Sequence, residues 1–461
     1  MEVILVNVSR NGNQIQLNIG FSVLINALKT QGISPRLIDL IPVDVDKRDE
    51  YLRSQISSEK AIYGFGIIIG NDHINATEEA AKIIRKKNPD NIIVYGGALP
   101  TSAPKVILEN CICDYIVAGE GEYTFPALVR FLDEGGRYPE NIPGLYYIKD
   151  GKFHGSSHKK IMSLGPESNL DLGQFDMDFY IGYLKECNQS WEIMAARGCV
   201  GSCTFCYKML GHGFSVRSPD AVLDEMAYIM DRHGLGKFYF VDDNVFGLNE
   251  WFRDFIRRKQ QRRMDFKFVI QARMDAIEEE ICKVAMDNGL ICISTGIEGV
   301  TQEILDRINK EIKLDDIKKK IRMVDRIGIP LSTNLIIGFP WETEDYYRKM
   351  IEFMKDFRLE KRVNMHYLTP LPKTVIYHQA IKMGLIKDEW DYIRNVGNLY
   401  WELYLNMTKL PDDVLIHWFK EMLDLAHRDI VFPVSEKYQS KLGKKYYDRV
   451  PQSRRIYQKN A

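Results

Sequence analysis

Ala195-Ala196-Arg197-Gly198-Cys199-Val200-Gly201-Ser202-Cys203-Thr204-Phe205-Cys206 places three cysteines within eight residues, as Cys-x3-Cys-x2-Cys, directly after the short run Glu192 to Ala196. Further strand candidates follow at Phe238 to Val241, Lys267 to Gln271, Ile291 to Gly296, Ser332 to Ile337 and Arg362 to Leu368. Stretches with apolar residues at helical spacing separate them, among them Pro219 to His233, where Ser218 then proline is an N-cap signature. Six strands alternating with helices predict a barrel or partial barrel of β/α units over residues 191–380, with functional residues at the carboxyl ends of its strands. The cysteine loop lies at the first such end. Asp242-Asp243-Asn244, then Gln271 and Arg273, then Gly296-Ile297-Glu298-Gly299, then Gly338-Phe339-Pro340 lie at the next four.

Three thiolates in one loop suit iron-sulfur ligation, and the small residues around the first two leave space for something bulky. On a 4Fe-4S cluster three cysteines leave one iron open to a substrate or cofactor. A structural zinc ion needs a fourth ligand, for which His212 is the nearest histidine. Inert burial is the remaining reading of the trio. Cys111, Cys113, Cys187, Cys282 and Cys292 show no comparable clustering and read as core.

Upstream, residues 1–135 alternate apolar strands (Val3 to Val8, Arg36 to Leu40, Ile62 to Ile69, Ile92 to Tyr95, Tyr115 to Ala118) with helical stretches, the pattern of a doubly wound, Rossmann-like domain. Ligands bind such sheets beyond the carboxyl ends of the strands. The loops there are Ser9 to Asn13, Gly70 to Asn75, Gly96 to Thr101 and Gly119 to Glu122. Gly96-Gly97 and Gly119-Glu120-Gly121-Glu122 either let the backbone approach a bulky ligand or simply make tight turns. Residues 136–190 read as a linker with a small hairpin at Asp150-Gly151. Residues 381–461 read as a helical, aromatic C-terminal region; from Glu436 its tail holds eight Lys+Arg against two acids. The aromatic stripe from Trp390 to Trp418 is the core of a small bundle or, alternatively, a pocket wall.

Composition narrows the class. The 461 residues carry 62 Lys+Arg against 63 Asp+Glu, with 45% hydrophobic and 27% charged residues, too apolar for a disordered chain. A formal charge of -1 gives no global field for nucleic acid or an anionic membrane. The opening run from Met1 to Val8 is short and carries Glu2, so it reads as a strand rather than a signal peptide, and no stretch approaches the ~18 apolar residues of a spanning helix. A cytoplasmic protein is expected.

The cysteine spacing, its place after the first strand and the downstream strand-end residues together resemble the radical S-adenosylmethionine enzymes. The resemblance implies that the open iron of a 4Fe-4S cluster on Cys199, Cys203 and Cys206 chelates the methionine part of S-adenosylmethionine. It also implies that Phe205 lies near the adenine, and that Asp243, Gln271, Arg273, Glu298 and Gly338 are similar to the contacts with carboxylate, ribose and adenine. Tyr95-Gly96-Gly97-Ala98-Leu99-Pro100-Thr101 and Asp114 to Glu122 resemble the cobalamin-binding-domain subfamily, which includes anaerobic porphyrin cyclases and many C- and P-methylases. That places Gly96, Gly97, Gly119 and Glu120 at a corrinoid lying between the doubly wound domain and the barrel mouth. One departure stands out. The Asp-x-His-x-x-Gly loop that supplies a lower cobalt ligand in other corrinoid proteins is missing, as in many members of the subfamily, since Asp72 and His73 are adjacent, so cobalamin binds without a histidine ligand or the domain is empty.

The function implied is generation of a 5′-deoxyadenosyl radical, with cobalamin used to methylate an unactivated carbon of a small-molecule, lipid or peptide substrate. An electron donor such as flavodoxin or ferredoxin is implied as partner, and no nucleic acid. The alternative is a non-methylating dehydratase, cyclase or oxidoreductase. A tRNA methylthiotransferase is expected to carry a second cysteine cluster and a basic appendage, and a corrinoid carrier leaves the cysteines unexplained. His366, Tyr367 and Tyr377 are candidates for the substrate pocket, with core packing as the competing reading.

Overall fold

In a computed structural model, which describes residues 1–8, 15–158, 160–161, 163–360, 362–397 and 401–426, the chain folds as two units, each built on a mostly parallel sheet. The loop Ser9 to Asn13 and the basic tail from Glu436 lie outside the described residues.

The first unit takes Met1–Asn188 and a later segment that begins at Asp388. Its strands are β1 (Glu2–Asn7), β2 (Pro35–Asp39), β3 (Ala61–Gly66), β4 (Ile92–Gly96) and β5 (Tyr115–Val117), parallel in the order β2-β1-β3-β4-β5. The central strands read as unbroken apolar runs because helices bury both faces. Ile4, Val6, Tyr63, Phe65 and Tyr95 meet Arg48–Gln55, Asn71–Lys87 and Pro104–Asn110 on one side. Val3, Leu5, Ile62 and Val94 meet Ile19–Thr30, Gly121–Asp133 and Met177–Glu186 on the other. Each fully buried side chain of this kind contributes roughly 1.5–3 kcal/mol.

Antiparallel strands β6 (Leu145–Lys149) and β7 (Lys152–Gly155) extend the same sheet from β5. Asp150 and Gly151 make the turn between them with φ of 50° and 72°, the left-handed pair that a two-residue hairpin requires. Phe179 and Tyr180, on the helix Met177–Glu186, are buried in the second face of the core. Residues 136–190 are therefore built into the first unit rather than strung between two domains.

The second unit takes Gln189–Lys387 and the helix Asp412–Leu425. Six parallel strands run in the order β15-β14-β13-β12-β11-β8: β8 (Trp191–Ile193), β11 (Lys237–Phe240), β12 (Lys267–Gln271), β13 (Leu290–Glu298), β14 (Leu331–Ile337) and β15 (Val363–Tyr367). A two-residue antiparallel pair, β9 (Ala196–Arg197) and β10 (Ser215–Val216), flanks the cysteine loop. Along the six strands one set of side chains, including Phe238, Phe240, Phe268, Ile270, Leu335 and Ile337, is fully buried. The alternate set is half-buried and mostly polar: Glu192, Tyr239, Gln271, Ser294, Asn334, Asn364 and His366. One face thus supplies the core and the other a polar surface leading to the strand ends.

The helices after residue 381 do not gather into one bundle. Ile393 and Trp390 of Glu389–Asn395 pack into the first unit's core. Phe419 of Asp412–Leu425 stacks on Tyr367 of β15 at 3.9 Å between ring centroids, and Trp418 lies beside Tyr347. Among the described residues no helix is long and apolar enough to cross a membrane.

Candidate active site

The cysteine loop is fixed at its base before any cofactor is considered. Asp242, buried at the end of β11, accepts the Ala195 N–H at 3.1 Å and also that of Ala196. Burial pushes its carboxyl up to about 7, against those two backbone donors. Arg217 donates from its backbone to Ala195 and from its guanidinium to Met194, while its buried side chain pairs with Glu225 at 2.7 Å. Further along, the Gly213 N–H reaches the Cys199 carbonyl, the Thr204 N–H reaches Ile308, and Ile376 donates to the Thr204 carbonyl. Four separate segments, around Arg217, Asp242, Ile308 and Ile376, therefore hold the loop, which is what a rigid ligand set needs.

Within the loop the Gly201 N–H donates to Cys199 Sγ at 3.3 Å. Cys199 is buried, and Cys203 and Cys206 are half-buried. Burial pushes the Cys206 thiol up to about 12, with Asp243, Cys203 and Cys199 adding to the rise and Lys208 opposing it. Between the last two cysteines, Thr204 Oγ1 is buried with no partner. His212 is exposed and forms a backbone bridge with Cys199. Among the described residues no group of three or more His, Cys, Asp or Glu is arranged to hold a single metal ion. Three thiols brought together in one loop beside a buried, unpaired hydroxyl donor fit a cluster of iron and sulfide, which takes thiolate ligands and offers sulfur acceptors.

At the ends of β12 and β13, Arg273 is gripped from several sides. Its backbone N–H donates to Asn244 Oδ1 at 3.0 Å, Nε and Nη2 bond Asp275 at 2.8–3.3 Å, and Nη2 bonds the Lys310 carbonyl at 2.9 Å. Nη1 points at the cysteine loop, 3.9 Å from Cys203 Sγ. Buried Glu298 has φ of 67° at a β-bulge and meets buried Lys310 at 3.5 Å. Burial raises the Glu298 carboxyl, and Lys310 opposes that rise. A side chain at Gly296 would overlap Glu298 Oε1, so glycine there lets the carboxylate fold back on its own strand. A left-handed non-glycine residue at a strand end is stored strain of order 1–3 kcal/mol, the kind that clusters at functional sites.

Of the other expected contacts, Phe205 lies edge-on to Phe339 at 5.9 Å, which brings the cysteine loop to the end of β14. Gly338 has φ of 106°, and its N–H is taken by Glu342 Oε2 at 2.6 Å. Asp243 is exposed, whereas its neighbours Asp242 and Asn244 face inward as braces. Gln271 is half-buried within hydrogen-bond reach of Tyr239. Among the pocket candidates, Tyr367 and Tyr377 are core. His366 sits on the polar face beside Asn334 at 3.4 Å, and loss of water around its ring lowers its pKa to about 4. Lys310, Asp275 and Glu342 escape sequence reading. Lys310 stands in the charged run Asn309-Lys310-Glu311-Ile312-Lys313, which has the look of a solvated surface.

In the first unit the expected glycines face protein. A side chain at Gly97 (φ 89°) would meet Ile67 backbone at 2.7 Å, and one at Gly119 (φ 77°) would meet the His158 ring. Gly96 is similarly close to the Val117 carbonyl. Thr101 ties the two loops together, donating to the Gly97 carbonyl at 2.6 Å and accepting the Gly119 N–H at 2.8 Å. Buried Glu120 accepts the Ile161 N–H at 2.5 Å. His73 is buried and takes the Ile68 N–H on Nδ1 at 3.1 Å, so it is occupied inside the fold and unsuited to cobalt. Among the described residues of this rim, Ile68, just after β3, is 39% exposed. The order β2-β1-β3-β4-β5 puts the switch point between β1 and β3, the crevice where such sheets take their ligand. An apolar edge at that crevice fits the face of a large macrocycle.

Comparison with known proteins agrees. The model of the Radical SAM superfamily matches residues 193–354 and that of the B12 binding domain matches residues 8–129. An uncharacterized methyltransferase of Pyrococcus horikoshii is 28% identical over 310 residues, covering 66% of this chain and 66% of that one. An anaerobic magnesium-protoporphyrin IX monomethyl ester cyclase of Rubrivivax gelatinosus is 26% identical over 352 residues, covering 74% and 63%. The chain thus spans under two thirds of the length of each. Among solved structures, the radical S-adenosylmethionine methyltransferase TsrM from Kitasatospora setae superposes with a TM-score of 0.68 at 17% identity, covering 83% of this chain and 75% of that one. The cobalamin-dependent S-adenosylmethionine radical enzyme OxsB gives 0.66 at 19%, covering 83% and 55%. The two matched domains fall one on each sheet, and the chain belongs to the cobalamin-binding-domain radical S-adenosylmethionine enzymes.

Proposed function

We propose that the protein is a cobalamin-dependent methyltransferase that acts on an unactivated carbon of a small molecule. The observation that carries this reading is the presence of a B12 binding domain and a Radical SAM domain in one chain. When bound, the 4Fe-4S cluster with S-adenosylmethionine supplies a 5′-deoxyadenosyl radical, and cobalamin supplies a carrier for the methyl group. Cys199, Cys203 and Cys206 would hold the cluster. Phe205 and the Gly338 loop would border the adenosine, and Glu298 with Lys310 would meet polar groups of the methionine part. The substrate is assigned to the polar face of the barrel, where Tyr239, Gln271, Asn334, Asn364 and neutral His366 offer hydrogen bonds beside the carboxylate of Glu192. Their part is to orient the reacting carbon and keep water away. A one-electron donor of the flavodoxin or ferredoxin class completes the system.

The test is anaerobic reconstitution with iron, sulfide and cobalamin, followed by assays for 5′-deoxyadenosine and methylated product. A chain that forms 5′-deoxyadenosine but retains no corrinoid favours the second reading, a non-methylating cyclase or related enzyme, which the Rubrivivax relative supports. A chain that cleaves no S-adenosylmethionine sinks both.

A further inference from the structure

We infer that Arg273 is a positioning residue for the electrostatics of the cysteine loop: its guanidinium, clamped by Asp275 and Lys310, faces the thiols through the gap that Gly201 leaves open. The inference rests on the cluster reading above and reassigns a residue first expected at S-adenosylmethionine.

Three observations carry it. The first is how the donors are distributed. Nε and Nη2 are consumed by Asp275 and the Lys310 carbonyl, so Nη1 is the nitrogen that remains, and it lies 3.9 Å from Cys203 Sγ. The second is Gly201. A Cβ there would lie 2.3 Å from Arg273 Nη1 and 3.6 Å from Cys199 Sγ, while its φ needs no glycine. The small residue between the first two cysteines therefore makes room for this guanidinium, a protein group, rather than only for a bound one. The third is rigidity. The Arg273 backbone is pinned to Asn244 of the preceding strand end, and its side chain is only 10% exposed. Arg273 thus cannot swing away from the loop without breaking the Asp275 fork.

The chemistry follows from charge. A guanidinium stays protonated at any working pH. Held beside thiolate ligands and away from water, it favours the state of the site that carries one more electron, and so raises the reduction potential. Lysine preserves the charge but not the fork that binds Asp275 and leaves Nη1 in place.

The experiment uses the full chain reconstituted anaerobically with iron and sulfide, read by EPR-monitored redox titration without S-adenosylmethionine. Arg273→Gln is expected to keep its iron and sulfide content and to lose about tenfold in the one-electron reduction equilibrium, a potential about 59 mV more negative. Arg273→Lys should shift less. Gly201→Ala, which keeps the charge but displaces it, should shift in the same direction by a smaller amount. If Arg273→Gln holds no iron, Gly201→Ala decides: a lowered potential supports the inference and the wild-type potential overturns it. Arg273→Gln with the wild-type potential and weakened S-adenosylmethionine binding also overturns it, returning the residue to a substrate contact. A wild-type chain that takes up no cluster overturns the functional reading, and this inference with it.

Discussion

Replacing Glu342 by glutamine should flatten part of the pH dependence of folding. Glu342 lies four residues after Gly338 and is buried, its Oε2 accepting the Gly338 N–H at 2.6 Å and the Tyr347 hydroxyl at 2.9 Å. Its other oxygen, Oε1, is buried with no partner, and the ionisable groups facing it are Tyr346 and Tyr347, neither a cation. Burial therefore pushes its carboxyl from the ordinary 4.5 up to about 8, against the hydrogen bonds from Gly338, Tyr347 and Phe339. The folded state holds a proton that the unfolded chain releases, so stability from this group is full below pH 4.5 and drains away as pH rises through about 8. Glutamine accepts the same N–H and hydroxyl and does not titrate. Between pH 5.5 and 8 the stability advantage of Glu342→Gln over wild type should widen by about 3 kcal/mol, at roughly 1.4 kcal/mol per pH unit. For a unit of this size that is roughly 6–12 °C in melting midpoint. Melts of the full-length apoprotein and the variant at half-unit pH steps measure it. Two curves that stay parallel to within about 1 kcal/mol would refute the reasoning, because the other acids with raised carboxyls, Asp242 and Asp39, contribute equally to both.

Cys203→Ala should take up little iron and sulfide and form no 5′-deoxyadenosine; an active variant would sink the cluster assignment. Tyr180→Phe removes the 2.8 Å hydrogen bond to half-buried Asp39, whose carboxyl is already pushed up to about 6 by loss of water around it. The loss should be about 1–2 kcal/mol at pH 7 and smaller at pH 5, where Asp39 is already neutral, as denaturant titrations at the two pH values would show. Gly97→Ala should destabilise the first unit by roughly 1–3 kcal/mol through its left-handed φ and the approach to Ile67, equally with and without cobalamin. If cobalamin binding falls while stability holds, Gly97 is a ligand contact after all.

The fold was legible in the sequence to the extent that burial repeats locally. Runs such as Ile4 to Val8 and Phe268 to Ile270 alternate with amphipathic helices, and that rhythm survives as two mostly parallel sheets. The cysteine trio was legible because one loop must supply all three thiols, which compresses the pattern into eight residues. Residues 136–190 misled because their helix, Met177–Glu186, is only 10 residues long and polar in its surroundings; Phe179 and Tyr180 reveal their place only once the second face of the sheet exists. The partners that aim Arg273 were illegible for the same reason. Asp275 is near in sequence, but Lys310 and Gly201 meet Arg273 only through the barrel.

The side chains that brace the loops share a physical role, and it explains why the site is built as it is. Asp242 holds the backbone N–H groups of Ala195 and Ala196, Glu342 holds that of Gly338, and Asn244 holds that of Arg273. Each is a buried polar side chain at the carboxyl end of a strand, gripping a segment that carries a candidate contact. Two of them are acids that burial raises to about 7 and about 8, and buried Glu298 adds a left-handed φ. A fold selected for stability alone would replace such groups with apolar ones. Their concentration at the strand ends suits the function proposed above, which asks for loops that do not relax when a reactive group forms between them. Buried acids such as Asp242, Glu298 and Glu342 gather at the carboxyl-terminal rim, whereas left-handed backbone occurs at both ends, at Glu298 there and at Arg263 and Arg358 before β12 and β15. The Glu342→Gln and Gly201→Ala variants probe that rim from two sides, one through stability and one through potential.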